Sequence, residues 1–293
     1  MDNPIRNAAF LMASTILGLG AAHALADPPK LVSMTLIAEN DALIPGQTLE
    51  IGLRFEIAPE WHLYWPGQND SGFPPTIEVT APKGYAVGEP RWPNPTRHPA
   101  PGELLDHVLE KEALVVVPLT VPADAVTGTK VTLEAASSWL VCKNACLPGD
   151  GTSTITLPVA TAAKPGSKAG LFVAARASRP GPIDPASGIS CEVRRGRFQV
   201  LAPGSTVLRF FPAADSAPLK DLLKDGESKR GRISIALEDP GPDARIRGVL
   251  EVVTAAPPER SMFYSVEMPA DPAAAKPAES SQSQSSDTGE TRR

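Results

Sequence analysis

The 293-residue chain carries 28 Lys and Arg against 33 Asp and Glu, a formal net charge of −5, with four His and only three Cys. No dense Lys/Arg patch stands out, which removes nucleic acid as a partner class. The 32 prolines and 23 glycines interrupt short, β-rich apolar runs, so a helical bundle is excluded and many short strands joined by turns are expected.

Met1 to Ala26 has the pattern of a secretory signal. Arg6 and the amino terminus outweigh Asp2, an apolar run begins at Ala8, and Ala24-Leu25-Ala26 supplies a small-x-small cleavage site. The run is short against the roughly 20 residues needed to span a bilayer. We therefore expect a signal peptide over residues 1–26, export to the periplasm, and no integral membrane segment after cleavage. Disulfides persist in that compartment.

Leu31 to Ala38 is expected to pair with the next segment across a turn at Pro45-Gly46. Leu49, Ile51, Leu53, Phe55 and Ile57 alternate with Glu50, Gly52, Arg54 and Glu56, which predicts a strand with one face in a core and one in water. Short strands follow at Ile77–Val79 and Leu114–Val117, the latter continuous enough for a buried central position, with Pro118 and Pro122 marking its exit. Val131–Leu133, Trp139–Val141 and Ile155–Leu157 complete about seven strands. That number in about 130 residues points to an immunoglobulin-like sandwich.

Between the last two of those strands lies Trp139-Leu140-Val141-Cys142-Lys143-Asn144-Ala145-Cys146-Leu147-Pro148. Fully extended, the two cysteine Cα atoms would stand roughly 13–14 Å apart, whereas a disulfide needs about 4.4–6.8 Å. The segment must bend if they are to bond, and Asn144 tolerates turns. A ring of five residues stabilises a fold by only about 2 kcal/mol. Such a bond is a weak staple, better suited to opening and closing.

Past Ala160 the pattern changes. Ala169–Ala177 is expected to form one short helix, and Pro180, Pro182 and Pro185 punctuate a linker. Six further strands are expected at Cys191–Val193, Phe198–Val200, Val207–Phe210, Ile233–Leu237, Val249–Val252 and Phe263–Val266. Cys191, alone on its strand, reads as a buried unreactive thiol. Pro269 to Arg293 turns Ala/Pro- and then Ser/Gln-rich, a disordered tail. The expected organisation is all-β, two immunoglobulin-like sandwiches in tandem: residues 1–26 signal, 27–162 first domain, 163–188 linker, 189–268 second domain, 269–293 tail.

Three motifs stand in order: Trp61-His62-Leu63-Tyr64-Trp65 with Asp70-Ser71-Gly72 and Pro74, next Arg91-Trp92-Pro93-Asn94-Pro95, and last Trp139 to Cys142 with Cys146 and Pro148. With them the chain resembles the periplasmic amino-terminal domain of the DsbD thiol:disulfide interchange reductases, closest to the branch called ScsB, linked with copper tolerance. The likeness spans about Leu31 to Val159. It implies an immunoglobulin-like domain in which Cys142 and Cys146 are the catalytic redox pair of a protein-disulfide reductase relay, with no cofactor. It also implies two partners: a separate membrane-embedded thiol reductase upstream and periplasmic thioredoxin-fold proteins downstream.

Relatives shield the pair with aromatic residues in a cap loop. Here the corresponding segment, residues 104–114, has His107 and Leu109 instead, which leaves three readings: a less complete shield, one gated by His107 protonation, or an ordinary loop histidine, the commonest of the three. Trp139 and Lys143 join them as candidates for capping or partner binding, Lys143 because its charge can lower a neighbouring thiol pKa. Trp61, Tyr64 and Trp65 offer either a recognition surface or core packing, and packing is the commoner use. His62, His98 and His107 with the thiolates would suit copper or zinc. A CxxxC without a second closely spaced pair is a weak metal signal, and no metal ligand is assigned. The alternatives to the relay are a copper-binding protein and a non-catalytic β-sandwich adaptor.

Overall fold

The computed structural model describes residues 30–241, 243–255 and 259–271. The expected signal peptide and nearly all of the expected tail lie outside the described residues. The tail's first residues belong to the fold, since the last strand ends at Pro269 and Ala270 is buried with its N–H donated to the Ala244 carbonyl.

The first half contributes ten strands. They are β1 (Val32–Ala38), β2 (Thr48–Ile57), β3 (His62–Tyr64), β4 (Glu78–Thr80), β5 (Ala86–Val87), β6 (Thr96–Ala100), β7 (Leu104–Glu110), β8 (Glu112–Thr120), β9 (Lys130–Cys142) and β10 (Cys146–Pro158). One sheet runs β1-β2-β8-β5; the other runs β10-β9-β3-β7-β6, with β4 also paired to β9. Their facing sides bury Leu49, Ile51, Leu53, Phe55 and Ile57 from β2 against Leu63, Leu109, Leu133 and Val141. The alternation read from the sequence thus builds an all-β immunoglobulin-like sandwich.

The outer face of β2 departs from expectation. Around Glu50 and Gly52 it does not meet water, because helix α1 (Ala169–Ala177) lies over it and seats the fully buried Phe172 among Ile37, Leu114 and Val116, whereas Glu56 stays exposed. Glu50 is consequently buried and bound by three arginines. Arg176 donates to it at 2.6 Å and Arg91 at 3.1 Å, and Arg179 completes the set. Burial would raise the Glu50 pKa, but the hydrogen bonds from Arg179 and Arg176 outweigh it and hold the carboxyl below the usual range. The strand expected to end at Pro118 continues to Thr120, with Pro118 opposite Glu50.

The second half adds β11 (Ser190–Arg194), β12 (Arg197–Leu201), β13 (Ser205–Pro212), the short helix α2 (Leu222–Asp225), β14 (Glu227–Ser228), β15 (Arg232–Ala236), β16 (Arg245–Thr254) and β17 (Arg260–Pro269). Sheets β11-β12-β15 and β14-β13-β16-β17 enclose a separate core around Phe198, Phe210, Ile235 and Leu250. Cys191 is a half-buried free thiol at its edge, and burial pushes its pKa up to about 11.

The two halves are joined by more than the chain. Gly67 bridges Ala213, the Gln68 N–H donates to the Pro212 carbonyl at 3.1 Å, and Phe211 is counted in the first core. Arg97 reaches from β6 to the carbonyls of Leu222 and Leu223.

Candidate functional site

Strands β9 and β10 form one long hairpin in which Cys142 and Cys146 stand directly opposite each other, with Lys143-Asn144-Ala145 as the turn. The bend the sequence required is this turn. A disulfide joins the pair, S–S 2.01 Å and Cα–Cα 4.1 Å. Val131–Leu133 and Trp139–Val141, read as separate strands, are parts of the single β9. The sulfurs differ in access: Cys142 is 2 % exposed, whereas Cys146 is exposed at the head of β10.

Alternation along β9 puts Val141 and Trp139 into the sandwich core and Cys142 on the outer face of the sheet. His62 on β3 is its partner across the strands, and Tyr64, two residues on, projects to the same side. Asp106 on β7 and its neighbour His98 on β6 share that face. The His62 ring lies edge-on to Tyr64 at 5.4 Å and 4.5 Å from the His98 ring. Burial, with His98 alongside, pushes the His62 pKa down to about 4 in spite of Asp106.

The Tyr64 hydroxyl meets the disulfide. It donates to Cys142 Sγ at 3.2 Å and lies 3.6 Å from Cys146 Sγ. On its other side it is 3.2 Å from Ser71 Oγ. Ser71 in turn is fixed by Asp106, donating its hydroxyl at 2.5 Å and its backbone N–H at 3.0 Å. Gly72 allows this loop to close down, since a Cβ there would lie 2.1 Å from Tyr64 Cζ. Burial raises the Tyr64 pKa, so the phenol keeps its proton.

The expected cap segment is not a loop. Residues 104–110 are strand β7, and its parity sends His107 and Leu109 to the face opposite Cys142. Leu109 packs in the first core. His107 is fully buried, 5.3 Å from the Phe211 ring, with Nδ1 2.9 Å from the Gln68 carbonyl and Nε2 unpartnered. Burial pushes its pKa down to about 4. A neutral imidazole protonated at Nδ1 accounts for the bare Nε2. It is a core histidine, so it neither caps the cysteines nor gates them.

Trp139 is buried edge-on to Phe55 at 5.7 Å. Its indole also lies over β10, where a Cβ on Gly149 would come within 2.5 Å of Nε1. It lines an open groove of about 520 Å³ beside the disulfide with Phe73, Pro74, Leu140 and Pro148. Phe73, 74 % exposed, lines that groove, and Leu147, 45 % exposed, follows the exposed Cys146 in the chain. Lys143 is spent on Glu60, Nζ–Oε2 2.7 Å, at the surface. Tyr64 and Trp65 are buried, in line with packing rather than recognition. Among the described residues no group of three or more His, Cys, Asp or Glu is arranged to hold a metal, and no helix is long and apolar enough to cross a membrane.

The partners of Tyr64 were missed by sequence reasoning. Ser71 and Asp106 are 7 and 42 positions from it, and only the shared parity of Tyr64 and Cys142 on paired strands hinted at contact.

Residues 33–158 match the family model described as thiol:disulfide interchange protein DsbD, N-terminal. No curated protein matches the chain. Among solved structures, the N-terminal periplasmic domain of ScsB from Proteus mirabilis is similar at 15% identity and TM-score 0.49, covering 81% of this chain and 92% of that one. The reduced Neisseria meningitidis DsbD N-terminal domain is similar at 18% identity and TM-score 0.30, covering 48% and 96%. The E. coli chaperone DraB is similar at 10% identity and TM-score 0.25, covering 80% and 98%.

Proposed function

Because residues 33–158 match the model of the DsbD amino-terminal domain, we propose that this chain is a periplasmic thiol–disulfide exchange protein that relays electrons through Cys142 and Cys146. A separate membrane-embedded thiol reductase supplies the electrons, and periplasmic thioredoxin-fold proteins receive them. The observation that carries this reading is the asymmetry of the disulfide, with one exposed sulfur beside an apolar groove and one buried sulfur behind it. A partner thiolate can reach Cys146 and form a mixed disulfide there. The partner's second thiolate resolves it and leaves the pair reduced; in the onward step the Cys146 thiolate attacks a client's disulfide, and Cys142 beside it resolves that second mixed disulfide.

The signal-like segment at residues 1–26 fits export to a compartment where such a pair stays oxidised until a reductant arrives.

The test is the reduction potential of the pair, measured by equilibration with glutathione. A value between roughly −180 and −270 mV matches exchange proteins, whereas one below about −300 mV marks a structural bond. Cys142→Ala and Cys146→Ala are each expected to abolish exchange with a thioredoxin-fold partner while the fold remains. Exchange that survives in both variants would end the relay reading.

A further inference from the structure

The surroundings of the buried sulfur carry a further assignment, which rests on the exchange reading above. We propose that Tyr64 is a catalytic hydrogen-bond donor to Cys142 Sγ, and that Ser71 and Asp106 are positioning residues that hold its hydroxyl on that sulfur.

The chemistry sets the need. A thiolate of the reducing dithiol attacks Cys146 Sγ, forming a new S–S bond while the Cys142–Cys146 bond breaks. The electron pair of the broken bond leaves on Cys142 Sγ. The partner's second thiolate then attacks its own sulfur in the mixed disulfide and releases Cys146. The partner dithiol ends oxidised to a disulfide, the protein pair ends reduced, and two protons from the partner's thiols complete the balance. In the first step a negative charge appears on the sulfur of Cys142, a residue only 2 % exposed. Water is poorly placed to solvate it, so a protein donor must.

The charged neighbours do not supply one. Lys143 is paired with Glu60 at the surface. His62 faces the sulfur from β3, but burial keeps it neutral near pH 7. Asp106 shares the face and, when ionised, is a hydrogen-bond acceptor only. The Tyr64 hydroxyl, however, touches both sulfurs.

It has one hydrogen and two acceptors at 3.2 Å, Ser71 Oγ and Cys142 Sγ. Ser71 gives its own hydrogen to Asp106, so it presents a lone pair to the phenol. Against a neutral disulfide sulfur, a weak acceptor, the hydrogen is shared between that sulfur and Ser71. Against a thiolate the charge-assisted bond wins, and the hydrogen turns to the sulfur without any heavy atom having to travel.

The experiment is the rate of reduction of the oxidised full-length protein by excess dithiothreitol, followed by acid quench and thiol alkylation. Loss of a hydrogen bond to a developing charge predicts that Tyr64→Phe is reduced roughly tenfold to a hundredfold more slowly. Ser71→Ala and Asp106→Asn should each be slowed severalfold. The double variant Tyr64→Phe/Ser71→Ala should be no slower than Tyr64→Phe alone, because Ser71 acts only through the phenol. Deficits that multiply, or a Tyr64→Phe protein reduced at the wild-type rate, would overturn the assignment. Should Tyr64→Phe fold poorly, unchanged rates in Ser71→Ala and Asp106→Asn would overturn it equally. Dithiothreitol needs no protein partner, so failure to exchange with thioredoxin-fold proteins would count against the relay and leave these rates to judge Tyr64.

Discussion

His62 stands opposite Cys142 where β3 meets β9, yet it brings the sulfur no positive charge at neutral pH, because burial holds its pKa near 4. The strand pairing that makes the histidine a neighbour of the cysteine also hides it from the water its charged form would need. His107, on the other face of the same sheet, is in the same condition for the same reason.

These two imidazoles make the fold sensitive to mild acid. The unfolded chain binds their protons as pH falls through about 6.5, while the folded chain resists until about 4. Stability is therefore highest above pH 6.5 and declines across that window. For His107 the decline between pH 7 and pH 5 is about 2 kcal/mol. Urea midpoints at the two pH values should show a smaller loss in His107→Leu than in the wild type. Equal losses would place the acid sensitivity elsewhere.

Glu50 responds in the opposite chemical sense but the same direction. Its carboxyl is held below the ordinary value of 4.5, so its contribution is complete above that value and is lost as pH drops through the folded pKa. Glu50→Gln removes the charged partner of Arg91, Arg176 and Arg179 and is expected to cost about 2 kcal/mol at pH 7. The difference from wild type should narrow as pH falls below 4.5. A difference that stays constant with pH would mean that packing, not charge, is at stake.

Gly72 sets how closely the Ser71 loop approaches Tyr64. Gly72→Ala would place a methyl 2.1 Å from the ring, and relieving that overlap should cost about 1–3 kcal/mol. Thermal unfolding measures the stability term. The accompanying displacement of the phenol should appear as slower reduction of the disulfide by dithiothreitol. A variant with wild-type stability and rate would show that the loop yields freely.

The sequence made some of this legible and concealed the rest for physical reasons. The alternation from Leu49 to Ile57 identified β2 because one of its faces meets a core of uniform character. Helix Ala169–Ala177 was readable from an Ala-rich run framed by prolines and a glycine. Its destination was not: nothing near Phe172 announces that it covers β2, and the alternation alone predicts a solvated Glu50. The resemblance assigns residues 104–114 to a loop, and since Leu105 to Leu109 are buried on both faces of β7, no polar–apolar alternation marks them as a strand. The site itself was half visible. Cys142 and Cys146 declare themselves by spacing, but Tyr64, Ser71 and Asp106 are brought to them by strand pairing and loop closure over as many as 78 positions. Contacts at such separations leave no periodic mark. The seat of Phe211 in the first core is concealed likewise.

The two half-cystines cap a ladder of thirteen cross-strand pairs that runs down to Pro158 and Lys130. Parting the sulfurs therefore frees only a three-residue tip, while twelve rungs below it keep the strands aligned. A hairpin of this build can lose and regain that one bond with little structural reorganisation, as a zip opened by one tooth still holds the garment closed.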